Sequence, residues 1–285
     1  DVPTGFEYSL RVDVESSGTP GANHYNLIQG GIEGYDIVRT AFGEAGAKTL
    51  TLSFYVKSNL TGTFTGAIIN GSQDRSYAYD YTISSANTWE RKTITFPGDT
   101  TGTWHKDNQL GMRLNWALAI GSTYTTSTAT TWQADEHMGT TNGQNVLAST
   151  DNFFEITGVQ LELGSVATPY EHRTFADDLA ACQRYYVQLL KSDSTKELVI
   201  SGGQSGATNF NAFLPYSMRA APTITWPASS GVRGEGTTVN ISSIAGTMDT
   251  NNYVHANATI TSGLTANTAS FLYAFQGSTN LDAEL

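Results

Sequence analysis

Alternation of apolar and polar residues with a period of two dominates this chain, and it leaves few folds open. Tyr8, Leu10, Val12 and Val14 share one face of an extended segment, with Ser9, Arg11 and Asp13 on the other. Leu50, Leu52, Phe54 and Val56 repeat the pattern, as do Met112, Leu114, Trp116, Leu118 and Ile120. Further strands are predicted over Phe64–Ile69, Tyr77–Ile83 and Trp89–Phe96. Turn signals separate them at Asn70-Gly71, Ser84 to Asn87 and Pro97-Gly98-Asp99. Short strands at this spacing predict an all-β chain whose first part is a jelly-roll β-sandwich. Trp116, Tyr8 and Trp89 have the parity of core residues. Tyr77, Tyr79 and Tyr81 read as core because Ile83 continues their parity; a binding platform is the alternative.

The last strand of this sandwich changes phase. Phe154 and Ile156 share one face, while Val159, Leu161 and Leu163 have the opposite parity. A β-bulge at Gly158 absorbs one residue and keeps both groups inward. A Pro turn at Pro169 follows, and then one convincing helix. Thr174-Phe175-Ala176-Asp177 is close to a capping box, and the Asp177-Asp178 pair suits a helix N-terminus. Leu179, Cys182, Tyr186 and Leu189 then repeat at helical spacing. After Lys191 short strands return to the end of the chain. The predicted organisation is a jelly-roll sandwich over 1–170, a short connecting helix over 171–192 and a second, smaller β domain over 193–285. The apolar content of the last domain is too small for a closed monomeric unit, so its edges are expected to be covered by symmetric neighbours.

Length and composition narrow the function. The 285 residues suit two domains, and only 14% are Asp, Glu, Lys or Arg. Thr, Ser, Asn and Gly carry the polarity instead, which fits strands and tight turns. A net charge of −11 disfavours nucleic acid and anionic membrane surfaces as partners. No apolar run reaches the ~18 residues of a membrane helix, so no membrane insertion is expected. The single cysteine, Cys182, excludes an intrachain disulfide and reads as a small buried side chain. No repeat at fixed period marks a long β-helix. The chain opens on Asp1 rather than Met, as the ordered part of a longer protein does.

Enzyme chemistry finds little support. None of the five histidines, His24, His105, His137, His172 and His255, lies in a nucleophile motif, and there is no G-x-S-x-G elbow. Carboxylates able to cleave a glycan are Asp74, Asp80, Asp135 and Glu136, but solvated loop acids are the simpler reading. Zinc spacing is absent, no cofactor is expected, and a structural calcium stays open. Sugar binding fits better. The long segment Gly121–Asn152 is rich in Thr, Ser and Gly, and such loops are functional or disordered. Trp104, Tyr124, Trp132, Asp135 and His137 are the candidate ligand-binding residues: rings for the apolar face of a sugar, polar groups for its hydroxyls. The alternative is that these rings pin the loop onto the sandwich.

A longer motif runs through the joint. Residues 156–186 read ITGVQLELGSVATPYEHRTFADDLAACQRYY. This resembles the C-terminal regions of bacteriophage tail-fibre proteins, in which a carbohydrate-binding-module-like jelly roll closes on VQLE.G and passes into ATP[YF]EHR…L..CQRYY. The segment LPYSMRAAP over 214–222 and the ending LDAEL over 281–285 are similar to the distal domains of the same proteins. The resemblance covers about Thr49 to the C-terminus. It implies a non-enzymatic virion appendage, extracellular, that attaches to host surface polysaccharide as a homotrimer. It further implies contacts with other virion proteins through an additional N-terminal part. In such a trimer Leu179, Cys182, Tyr186 and Leu189 are buried between chains at the three-fold axis. Two alternatives remain: a structural head fibre, decoration or adaptor protein that binds no glycan, and a glycan depolymerase.

Overall fold

The computed structural model describes residues 1–190, 197–206, 208–226, 231–234, 237–249, 253–260, 269–275 and 279–284. The chain divides into two compact units, Asp1–Glu171 and His172–Leu285. It is all-β apart from short helices. In the first unit the elements run β1 (Leu10–Asp13), β2 (Tyr25–Glu33), α1 (Gly34–Ile37), β3 (Leu50–Ser58) and β4 (Gly62–Asn70). They continue with β5 (Arg75–Ile83), β6 (Glu90–Phe96), β7 (Leu110–Ile120), β8 (Thr125–Thr126), β9 (Trp132–Ala134), β10 (Gly139–Thr140) and β11 (Phe153–Leu163). A four-stranded sheet in the order β1-β11-β3-β6 faces a five-stranded sheet in the order β2-β7-β4-β5-β9.

The apolar parity read from the sequence lies between these sheets. Leu50, Leu52, Phe54 and Val56 of β3 meet Tyr77, Tyr79, Tyr81 and Ile83 of β5 and Trp116 of β7 in one core. Phe54 packs edge-on to Tyr81 at 5.3 Å and to Trp116 at 5.5 Å, and Phe64 stacks on Tyr81. Such ring pairs add about 0.5–1.5 kcal/mol each beyond their buried area. Burial pushes the Tyr79 and Tyr81 hydroxyls up, so both stay protonated. The phase change in β11 is a bulge: its register with β3 shifts between Thr157 and Gln160. Gly158 sits there at φ +60, and a Cβ on it would come within 2.6 Å of the Phe6 ring. Two expected core rings lie elsewhere. Tyr8 is exposed, because β1 pairs only from Leu10 onward. Trp89 is half-buried at the rim, with its indole N–H donated to the Asp1 carbonyl.

The second unit contains α2 (Phe175–Gln183), β12 (Tyr186–Leu190), β13 (Glu197–Gly206), β14 (Asn209–Ser217), β15 (Thr223–Thr225) and β16 (Gly231–Gly234). It ends with β17 (Thr237–Met248), β18 (Tyr253–Ile260), β19 (Ala269–Phe275) and β20 (Thr279–Asp282). Six strands close a barrel in the order β13-β14-β18-β17-β16-β19, beside a sheet ordered β12-β20-β15. The expectation that this unit does not close within one chain is therefore corrected. Small inward residues, Ala212, Ala256 and Ala258, let a narrow barrel pack around Phe210, Leu214, Val254 and Leu272. Closure satisfies the strand edges without neighbours.

The helix is also shorter than the predicted 171–192. Thr174 caps α2 as expected, its hydroxyl accepting the Asp177 amide. The helix stops at Gln183, and Tyr186–Leu190 is a strand paired with Thr279–Asp282. Local helical spacing cannot reveal a partner strand that lies far along the chain. Strand parity puts Tyr186 and Leu189 on opposite faces, so they do not continue the stripe of Leu179 and Cys182. Leu189 packs on the barrel-side core. Cys182 is exposed rather than buried, because α2 has no buried residue. Residues 191 and 192 of the predicted helix and Leu285 of LDAEL lie outside the described residues.

Phe54→Ala removes the ring that bridges both sheets. It is expected to lower stability of the first unit by about 3–5 kcal/mol. Urea unfolding with separate probes for the two units checks this; the second unit's transition should stay in place.

Candidate functional site

The outer face of the five-stranded sheet carries the polar residues that its inner parity excludes. Register places Gln29, Asn115, Ala67 and Ala78 in one row across β2, β7, β4 and β5. The rows beside it are Leu27, Ala117, Thr65 and Asp80, and Gly31, Arg113, Ile69 and Ser76. Segment 121–152 folds back over this face. Met138 packs on Ala67 and Ile69, with Leu27, Ile120 and Tyr124 around them. The Thr140 amide donates to the Thr65 hydroxyl at 2.7 Å, which itself donates to the Tyr79 carbonyl. β8 and β10 pair in parallel above. Gly139 and Gly143 allow the approach, since a Cβ on either would strike the Thr65 side chain.

This arrangement encloses about 210 Å³ between sheet and loop, lined by Thr65, Ala117, Thr125, Thr140, Gly143 and Gln144 among others. The size lies below the ~300–1,000 Å³ of drug-sized sites. The lining is hydroxyl and amide over a floor of small side chains. One wall is stiffened by Asp80, whose carboxylate accepts from Thr140 Oγ1 at 2.5 Å and from Asn142 Nδ2 at 2.9 Å. On the same face Asn115 Oδ1 and Arg113 Nε are buried without a hydrogen-bond partner. The arrangement can hold a small polyhydroxylated group. Among the described residues no three His, Cys, Asp or Glu side chains come together as a metal site.

The five residues singled out in the sequence do not form one site. Trp104 is 7% exposed; its ring packs edge-on against Phe42 and Trp132, and its N–H goes to the Thr101 carbonyl. Trp132 lies on β9, opposite Tyr77, with ring contacts to Tyr77 and Phe96 and its N–H on the Pro97 carbonyl. Both rings therefore pin loops to the sandwich; Trp104 is buried and Trp132 is half-buried. Tyr124 is half-buried, edge-on to Tyr25 at 5.1 Å. Asp135 adopts a left-handed backbone at φ 68, with its carbonyl on the Ser76 hydroxyl. His137 takes the same hydroxyl through its amide and Nδ1. Of the four carboxylates considered for cleavage, Asp74 is engaged by Asn70, Asp80 as above, and Glu136 by Gln73 and Arg113, while Asp135 is exposed. The pocket residues Thr65, Ala117 and Gln144 escaped the sequence reading. Thr65 and Ala117 signal themselves only by outward parity on β4 and β7, which small residues share with ordinary surface, and Gln144 only by lying in the long segment 121–152.

The motif residues are structural too. Gln160 accepts the Glu171 amide, and Glu162 accepts both the amide and the hydroxyl of Thr168. That hydroxyl holds the Glu162 carboxyl below its ordinary range. VQLE and ATPYE thus clasp each other at the end of the first unit. In the second unit the Ala283 amide donates to the Tyr185 carbonyl, and the Arg219 amide to the Arg184 carbonyl. CQRYY, LPYSMRAAP and LDAEL meet there around buried Met218 and Leu281.

No family model matches the sequence, and no curated protein matches it. A solved structure described as "CBM4 structure and function" is similar over 54% of this chain and 70% of its own, at 13% identity and a TM-score of 0.30. Another, described as "Red Clover Necrotic Mosaic Virus", aligns over 99% of this chain and 91% of its own, at 11% identity and a TM-score of 0.18. Both likenesses are too distant to carry a function to this chain.

Trp132→Ala is expected to free the folded-back segment. Amide exchange of Met138, Thr140 and Thr141 should accelerate at least about tenfold, while amides of β3 and β7 keep their protection. Unchanged exchange would mean that the ring does not hold the loop.

Proposed function

We propose that this protein is a non-enzymatic appendage of a bacteriophage virion that attaches to host surface glycan as a homotrimer. The observation that carries the reading is the small hydroxyl- and amide-lined pocket over Thr65 and Ala117. It suits a sugar unit and presents no nucleophile or free pair of carboxylates to cleave one. The jelly-roll topology and the residues 156–186 that resemble tail-fibre proteins supply the setting. Assembly has its own support. Phe175, Leu179 and Cys182 lie at i, i+4 and i+7 on α2, all exposed, and so form an unpartnered apolar stripe. A trimer covers that stripe and multiplies weak single-site contacts by three.

Two experiments test the reading. Light scattering of the full chain should return three times its 30.6 kDa mass, falling to the single mass in Phe175→Ser/Leu179→Ser. A wild-type monomer rejects the trimer. Thr141→Trp and Ser122→Trp add bulk at the exposed rim of the pocket. Each should weaken retention on immobilised host polysaccharide about tenfold. Wild-type chain that is retained on no polysaccharide favours a purely structural appendage instead.

A further inference from the structure

A second surface with ligand-binding chemistry lies on the barrel of the distal unit. In a closed barrel alternate residues point in and out. Inward go Phe210, Ala212 and Leu214 of β14 and Val254, Ala256, Ala258 and Ile260 of β18. The outward positions are Asn209, Asn211 and Phe213, and Tyr253, His255, Asn257 and Thr259. Most are the short polar residues that an outer barrel face calls for. Phe213 and Tyr253 are not, and they are 50% and 41% exposed. A phenylalanine left there forgoes about half of the stabilisation that full burial would give.

The exposed rings are gathered rather than scattered. Phe213 lies 5.5 Å from the Tyr253 ring and 5.7 Å from His255, its direct cross-strand partner. Asp249 fixes the far end: its carboxylate accepts the Tyr253 amide at 3.0 Å and lies 3.6 Å from His255 Nε2. The next row across the barrel is Gly203, Asn211, Asn257 and Ala245. Those side chains are short, and nothing lies within 4 Å of a Cβ on Gly203. Asn257 is oriented by donating to Thr247 Oγ1 at 2.6 Å. The face is therefore a step, with an aromatic ridge beside a lower row that holds two amides.

We propose that this step binds an uncharged pyranose unit of a surface polysaccharide. The apolar C–H face of the ring lies on Phe213 and Tyr253, and its hydroxyls reach Asn211, Asn257 and the His255–Asp249 pair. Recognition is by aromatic faces and amides, as in other wet, polar binding surfaces. The sugar is uncharged because, among the described residues of these rows, there is no Lys or Arg, the Asp249 carboxylate stands at their end, and the chain carries −11 overall. Uronic or phosphorylated sugars meet repulsion both at long range and at the site. A second copy of the chain fits this face less well, since amides flank the rings and an interface core is continuous and apolar. The inference rests on the attachment reading only for the source of the sugar; the site itself is separate from the pocket over Thr65.

The test uses the full chain on a printed array of neutral and uronic-acid-containing bacterial polysaccharides. Wild type should be retained on neutral ones. Phe213→Ala and Asn257→Ala should each weaken retention about tenfold or more, and Phe213→Trp should preserve it. Thr141→Trp reports separately on the pocket of the first unit. If Thr141→Trp abolishes retention and Phe213→Ala leaves it intact, attachment stands and the barrel site is overturned. Loss with Phe213→Ala alone supports the barrel site while removing the pocket. Preference for acidic polysaccharides, or a change of solution mass in Phe213→Ala, overturns the barrel site, the latter by showing an interface. Retention on no polysaccharide overturns both.

Discussion

The ring layer between the two sheets of the first unit is the constraint on which the rest of that unit depends. Phe54 touches Tyr81 and Trp116, and Phe64 joins Tyr81 to Phe154. These contacts set the spacing of the sheets and so decide which residues of β4, β5 and β7 point outward. The pocket over Thr65 exists because its row has the parity opposite to Phe64 and Trp116. Gly66 shows how closely the layer is fitted: a Cβ there would meet the Asn115 carbonyl at 2.2 Å and the Tyr79 ring at 2.6 Å.

Much of this was legible in the sequence because a half-buried sheet writes its burial as strict alternation. The tyrosine stripe, the Trp116 strand and the Gly158 bulge all follow from parity alone. Failures occurred where a residue's role is set by something distant. Trp104 and Trp132 looked like exposed rings in polar loops, yet Trp132 has the core parity once β9 is recognised as the edge of the sheet beside Tyr77. Tyr186 and Leu189 fit a helix by spacing, but the C-terminal strand recruits them. The barrel's closure depends on alanines whose small size means nothing until the six strands are in order.

The motif segments singled out in the sequence turn out to be joinery. Gln160 and Glu162 close the first unit against Thr168 and Glu171, and three separate motifs meet in the second unit around Met218 and Leu281. Residues that hold such junctions have no freedom to vary with a ligand. The outward positions of β14 and β18 have no part in such junctions.

The pairing of β12 with β20 has a consequence for folding. Gln188 and Asn280 face each other although they lie 92 residues apart. The sheet that receives the chain into the second unit therefore lacks its middle strand until residues 279–282 are in place. Formation of this sheet is slow for its size because the decisive contact is so non-local. A chain that lacks residues 279–282 leaves β12 and β15 without the strand that joins them, and the three-stranded sheet cannot form.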